Sequence, residues 1–396
     1  MSFPLVGNLS SEGFWTDPQL SEDKSQNDIF RIKILFRRSI SFMNKLNKIM
    51  AITQPFDFFV QWHLTERCNL RCKHCYQSGS RGQEMSLPEV REAVSEVAEM
   101  LTEWEEQYGI TFSPSFNITG GEPFLRDDIF EILGIIRGRD FGTYLLSNGV
   151  LIDKERAQKI SDLRVRGVQV SLEGPEKIHE MIRGKGSYSS AMRGVQHLLE
   201  AGITVTLNAT LSDINAGYFM DMIELASSAG VQRLGFSRLV PSGRGAGLLT
   251  NMLKKEKVKE LYKSILSLKI KGLEIVTGDP IVSQMTSNGK EDEGSTPIGG
   301  CAAGLSGITL LQDGTITPCR RLSVPIGNIR KDALREIWAT SEVLMKLRDR
   351  KAYAGKCSSC RRWASCRGCR AIAYAYSSSI GQESFLSDDP QCFIED

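Results

Sequence analysis

Residues 56–76 read FDFFVQWHLTERCNLRCKHCY. The opening stretch alternates: Phe56, Phe58, Val60, Trp62 and Leu64 fall on one face of an extended strand, and Gln61, His63 and Thr65 on the other, because successive side chains point to opposite sides. The apolar face belongs under helices. The polar face then looks inward, where a ligand or water must satisfy it. Directly after this strand stand Cys68, Cys72 and Cys75, three thiols at the mouth of that interior.

Downstream, strand patterns at 56–65, 114–119, 142–147, 167–173, 203–210 and 232–239 are each followed by a helical stretch, which predicts repeated βα units and a parallel sheet. The first helix opens on a capping box, Ser86 with Glu89, and carries Val90, Val94, Val97, Leu101 and Trp104 on one stripe. The split faces recur: Ser115, Asn117 and Thr119; Gln169, Ser171 and Glu173; Thr204, Thr206 and Asn208 all oppose apolar neighbours. An ordinary closed barrel fills its lumen with branched apolar side chains. A polar lumen predicts a ligand-filled, incompletely closed barrel with its site at the C-terminal strand ends. The last strand breaks the pattern, with Leu234, Phe236 and Arg238 sharing a face.

The chain has 396 residues, and its 49 Lys and Arg nearly balance its 47 Asp and Glu, which argues against nucleic-acid binding through a global positive field. No apolar run approaches a membrane span, and Met1 to Leu20 lacks the pattern of a secretory signal, so the expected location is cytoplasmic. In that compartment ten cysteines read as metal ligands or catalytic thiols rather than disulfides. Residues 1–28 read as a loosely ordered tail. Residues 29–50 read as a basic amphipathic helix, packed on its own domain or touching an acidic partner or membrane surface. With a polar Gly/Ser stretch over 285–300, the expected organisation is a 1–55 N-terminal extension, a 56–290 barrel and a 291–396 cysteine-rich domain.

CxxxCxxC can hold three corners of a four-iron, four-sulfur cluster and leave one iron open to a substrate. A structural zinc needs a fourth ligand, and His74, between Lys73 and Cys75, has little room to fold back. His74 and His197 read as incidental. Gly120, Gly121, Glu122 and Pro123 follow strand two at the same barrel end; the glycines let backbone approach a ligand, and a carboxylate beside them suits an ammonium group.

Together these residues resemble the radical S-adenosylmethionine superfamily, whose cluster motif is CxxxCxxC followed by an aromatic residue, here Tyr76, with a GGEP-type motif after strand two. The resemblance implies a partial (β/α)6 TIM-like barrel of α/β class. Cys68, Cys72 and Cys75 would ligate a 4Fe-4S cluster whose free iron binds S-adenosylmethionine. Tyr76 would lie near the adenine, and Gly120, Gly121 and Glu122 would bind the methionyl ammonium. Ser147, Asn148, Ser171, Arg183 and Asn208 occupy positions that contact ribose or carboxylate in similar proteins; around Arg183, Glu180 stands where the common pattern has Asp. Gln61, His63, Gln169 and Glu173 would line the substrate side, with Glu173 a candidate proton acceptor.

The C-terminal hundred residues hold Cys301, Cys319, Cys357, Cys360, Cys366, Cys369 and Cys392, similar to the SPASM extension that binds one or two auxiliary iron–sulfur clusters. A zinc ribbon is the alternative for such pairs. By resemblance, Cys301, Cys319 and Cys369 would serve one cluster with an open or non-cysteine fourth ligand, and Cys357, Cys360, Cys366 and Cys392 the other. Cys366 and Cys369 are separated by two residues where the family commonly has three, which leaves the partition open. The expected activity is reductive cleavage of S-adenosylmethionine to a 5′-deoxyadenosyl radical, with electrons from a flavodoxin- or ferredoxin-type donor. The substrate is a peptide or protein side chain, as for maturases of ribosomal peptides; the alternative is a small tetrapyrrole or quinone precursor. An electron carrier or zinc-bearing interaction module remains as a non-enzymatic reading.

Overall fold

The computed structural model describes residues 55–79, 82–285 and 299–394. The expected N-terminal helix, and the expected boundary near 290, lie outside the described residues.

In chain order come β1 (Phe56–His63), α1 (Leu87–Tyr108), β2 (Phe112–Thr119), α2 (Ile129–Arg137), β3 (Gly142–Ser147), α3 (Lys154–Asp162) and β4 (Gly167–Ser171). Then follow α4 (Glu176–Arg183), α5 (Ser187–Glu200), β5 (Val205–Leu211), α6 (Phe219–Ala229), β6 (Arg233–Arg238), α7 (Lys255–Ser267) and a short β7 (Glu274–Val276). The cysteine-rich part adds β8 (Gly307–Leu310), β9 (Thr315–Thr317), β10 (Gly327–Asn328), α8 (Leu334–Thr340), α9 (Glu342–Arg348), α10 (Lys356–Ser359) and α11 (Arg370–Ser379).

β1 to β7 lie side by side in chain order, all parallel. β8 pairs parallel with the free edge of β1, Gln61 opposite Thr309, so the C-terminal segment extends the barrel sheet instead of closing it. This is the expected incompletely closed α/β barrel, with the helices on its apolar face. Phe58, Val60, Trp62 and Leu64 are each about 1% exposed beneath them. β2 starts two residues earlier than expected and runs through Pro114, whose missing N–H falls where β3 has not begun, since β3 pairs from Ser115 onward.

Local chemistry sets the first helix. Ser86 N–H donates to Glu89 at 2.7 Å in the capping box, and Gly109 closes the C-terminus at φ 64°. The stripe Val90, Val94, Val97, Leu101 and Trp104 is buried, each large apolar side chain contributing roughly 1.5–3 kcal/mol. Trp104 meets Phe58 and Trp338 of α8 at 5.9 and 5.5 Å, which packs the cysteine-rich part onto α1.

Arg238 explains the irregular face of β6. It is 1% exposed and forks onto Asp279, after β7, at 2.6 and 2.9 Å, and onto Asp389, near the C-terminus, at 3.0 and 2.8 Å. Barrel and C-terminal segment thus share one buried ionic knot.

Candidate functional site: a thiol-lined cavity at the barrel mouth

The exits of β1 and β2 run together. Gly121 N–H donates to Thr65 O at 2.7 Å and Glu122 N–H to Arg67 O at 2.8 Å. A Cβ on Gly120 or Gly121 would land on those same carbonyl oxygens, and Gly120 has φ +153°, so only glycine lets the two loops touch. The three-cysteine loop is thereby seated on β2. From the far side, the stretch after β6 braces it: Gly245 N–H donates to Cys75 O at 2.9 Å, Arg244 Nε to Cys72 O at 3.4 Å, and Gly243 packs on the Tyr76 backbone.

Cys68, Cys72 and Cys75 line one cavity of about 130 Å³. Tyr76, Gly120, Gly121, Ser147, Asn148, Ser171, Arg183 and Asn208 line it too, so the structure brings these expected cofactor residues together. Polar side chains reach the sulfurs: Arg183 Nη1 lies 3.7 Å from Cys72 Sγ and Asn148 Nδ2 lies 4.0 Å from Cys68 Sγ. Burial pushes the Cys68 thiol up to about 11 and raises Cys72 as well, so a bound cation is what would hold them as thiolates. Among the described residues no three His, Cys, Asp or Glu side chains close to the spacing of a single ion. Three thiols spread round a common cavity, with donors aimed at sulfur, fit a four-iron cluster better than one zinc.

Two expected acids are placed differently. Glu122 is fully buried but lines neither cavity: its carboxylate accepts from Ser147 Oγ and Asn148 N–H at 2.9 Å each and from Phe124 N–H at 3.4 Å. The carboxylate ties the ends of β2 and β3 together. Glu173, expected on the substrate side, also lines neither cavity. It accepts from Arg183 at 2.6 and 2.9 Å and from Thr210 N–H at 2.8 Å, with His74 Nε2 at 3.3 Å. Burial alone would raise its carboxyl, but Arg183 and His74 overcome this and hold it below the usual range. His74, read as incidental, thus belongs to the cavity wall.

Burial pushes Glu122 up to about 7 against its three hydrogen bonds. A carboxyl raised in the folded state stabilises the fold fully below its unfolded value of about 4.5, and that contribution is lost as pH rises through about 7. Relative to Glu122→Gln, the wild-type protein is expected to lose about 3 kcal/mol between those limits. Urea unfolding of both proteins in that window, without S-adenosylmethionine, measures it; parallel curves would refute it.

His63 is 1% exposed, with Nε2 at 3.3 Å from the Tyr76 hydroxyl and Nδ1 at 3.3 Å from Gln77 Nε2. Burial, helped by the charge of Arg320, lowers it to about 3, so it is neutral. Burial likewise pushes Tyr76 up to about 12.

A second cavity of about 420 Å³ adjoins the first, sharing Gln169, Asn208, Ser237, Arg320 and Arg321. Its floor is the expected polar strand face, an amide belt of Gln61, Asn117, Gln169 and Asn208. Its roof is the cysteine-rich part, with Cys301, Cys319 and Cys369. Arg321 is flanked by Cys369 and Cys319, and Cys369 by Cys301. Elsewhere Gln284 Nε2 reaches Cys366 Sγ and Cys392 Sγ at 3.4 Å each, and Cys357 neighbours both. Cys360 closes α10, one turn beyond Cys357. Sequence reasoning missed Arg244, Arg320 and Arg321; the glycines around Arg244 and the Arg-Arg after Cys319 were the available signals.

The comparisons agree with this architecture. The Radical SAM superfamily model matches residues 62–226, and the SPASM iron-sulfur cluster-binding domain matches residues 301–370. An AdoMet-dependent heme synthase of Oleidesulfovibrio alaskensis is 28% identical over 84% of this chain and 86% of its own length. Mycofactocin maturase MftC of Mycolicibacterium smegmatis is 29% identical over 78% of this chain and 76% of its own. Among solved structures, Streptococcus suis SuiB bound to precursor peptide SuiA matches with TM-score 0.67 and 16% identity, over 90% of this chain and 80% of its own. The structure of anSMEcpe with bound AdoMet and a peptide matches with TM-score 0.64 and 19% identity, over 86% and 94%. These two show a shared fold.

Proposed function

This chain is a radical S-adenosylmethionine superfamily enzyme with a SPASM domain, and from that premise we propose that it modifies a peptide or protein substrate held in the amide-belted cavity. The observation that carries the proposal is the juncture of two cavities, one lined by the three loop thiols, the other polar and joined to it across Gln169 and Asn208.

Cys68, Cys72 and Cys75 would hold a 4Fe-4S cluster. When bound, the cluster would supply the electron for reductive cleavage of S-adenosylmethionine, and so the radical chemistry that takes hydrogen from the substrate. The chain's own residues position and shield. Gly120 and Gly121 bring backbone to the methionyl end; Ser147, Asn148, Ser171 and Asn208 surround ribose and carboxylate; Tyr76 flanks the adenine, held by His63. Arg183 sits beside Cys72, where its charge offsets thiolate, and Glu173 fixes its orientation. Glu173 and His63 are therefore positioning residues: one carboxylate is committed to Arg183, and the imidazole is neutral and buried. Gln61 donates to Asn117 O at 2.9 Å and lies on the substrate side. Cys301, Cys319 and Cys369 would carry one auxiliary cluster, and Cys357, Cys360, Cys366 and Cys392 the other. A flavodoxin- or ferredoxin-type protein would deliver the electron. Among the described residues no helix is long and apolar enough to cross a membrane.

A second reading, a tetrapyrrole precursor, is favoured by the similarity to heme synthases and by the arginines of the second cavity. The test is anaerobic turnover with deuterated candidates. A substrate raises 5′-deoxyadenosine above the substrate-free rate and passes deuterium into it. Stimulation by coproporphyrin III and by no peptide would replace the first reading with the second.

A further inference from the structure

Most interior arginines of this chain are taken. Arg183 is bound to Glu173, Arg238 to Asp279 and Asp389, and Arg370 to the carbonyls of Phe385 and Ser387. Arg321 donates to Arg238 O and stands beside Cys319 and Cys369. Arg320 differs. It borders both cavities, its guanidinium lies 5.9 Å over the Tyr76 ring, and among the described residues it has no hydrogen bond and no ion pair. No Asp or Glu among the described residues lines either cavity. A half-buried guanidinium that borders two open cavities, with no carboxylate in their linings and no hydrogen bond of its own among the described residues, has its donors available to an anion, and its planar fork matches a carboxylate.

We propose that Arg320 anchors a carboxylate of the substrate, at the boundary between the cofactor cavity and the amide-belted cavity. The substrate class is thereby narrowed to carboxylate-bearing molecules, the group being a peptide C-terminus or a tetrapyrrole propionate. The ring of Tyr76 beneath the guanidinium holds it by cation–π attraction while leaving its donors free, and the amides of Gln169 and Asn208 are placed to bond the remaining polar atoms. The inference rests on the radical enzyme reading above.

The experiment uses anaerobically reconstituted protein, wild type, Arg320→Gln and Arg320→Lys, with iron content and S-adenosylmethionine affinity measured first. Two probe pairs follow. One is coproporphyrin III against its tetramethyl ester, by absorbance titration. The other is an octapeptide library lacking Asp and Glu, prepared as C-terminal acids and as amides, with retention on immobilised enzyme read by mass spectrometry. The wild type is expected to prefer the acid form about tenfold or more in one arm, Arg320→Gln to lose that preference, and Arg320→Lys to keep part of it. The arm that responds identifies the carboxylate's source. Equal binding of acid and neutral forms in both arms, or an acid preference unchanged in Arg320→Gln, would overturn the proposal. So would a loss in Arg320→Gln confined to S-adenosylmethionine, which would assign the arginine to that molecule's own carboxylate. Wild-type protein without iron or S-adenosylmethionine binding would instead sink the enzyme reading beneath it.

Discussion

In Cys72→Ala, reductive cleavage of S-adenosylmethionine is expected to fall to the protein-free background, and iron after anaerobic reconstitution to drop by about four per chain from about twelve. Cys72 is the most buried of the three loop thiols, at 7% exposure, and sits 3.7 Å from Arg183. Two thiols cannot hold three corners of a cluster. The nearest substitute, His74, is engaged with Glu173, on the strand-four side of the cavity. Cys-to-Ala removes little volume, and the loop stays fastened through Gly121, Glu122 and Gly245 backbone bonds, so thermal unfolding of the metal-free variant should match that of metal-free wild type. The auxiliary iron should remain, because its seven cysteines lie on other elements. Iron analysis paired with product detection separates this outcome from general misfolding, which would lower all the iron together.

Arg238→Leu is expected to destabilise the protein by about 3–5 kcal/mol, because it leaves Asp279 and Asp389 buried without their cation. Both carboxylates and Tyr262, whose hydroxyl donates to Asp279 at 2.7 Å, depend on that guanidinium. Asp389 also accepts from Cys369 N–H at 2.8 Å and precedes Cys392, so its release should disturb cysteines proposed for both auxiliary clusters. Urea unfolding measures the loss, and iron content should fall while the loop cluster is retained. A triple variant with Asp279→Leu and Asp389→Leu should recover much of the stability, since an apolar replacement removes the unpaired charges too. A loss below 1 kcal/mol in Arg238→Leu would contradict the role given to this knot.

The barrel was legible because its signal is local. Six strands and their helices follow from alternation and capping, and the polar faces foretold the amide belt: Gln61, Gln169 and Asn208 line the second cavity. The cysteine loop and the two glycines were legible from spacing. What the sequence hid depends on topology and on backbone donors. Nothing local says that β8 pairs with β1, yet this pairing carries Cys319, Arg320 and Arg321 over the barrel mouth. Glu122 and Glu173 read as ligand-facing because acids beside a substrate site suggest chemistry. Amide N–H groups of Asn148, Phe124 and Thr210, invisible in a string of letters, hydrogen-bond these carboxylates.

On the reading proposed above, the loop of Cys68, Cys72 and Cys75 serves S-adenosylmethionine cleavage. The most direct test of that reading is a single-turnover reaction of reconstituted wild-type protein with dithionite and S-adenosylmethionine, quantifying 5′-deoxyadenosine and methionine by mass spectrometry. Equal amounts of both products are expected, dependent on reductant and absent from metal-free protein. Iron-loaded protein that binds S-adenosylmethionine yet yields neither product, or protein that retains zinc at these cysteines instead, would contradict it.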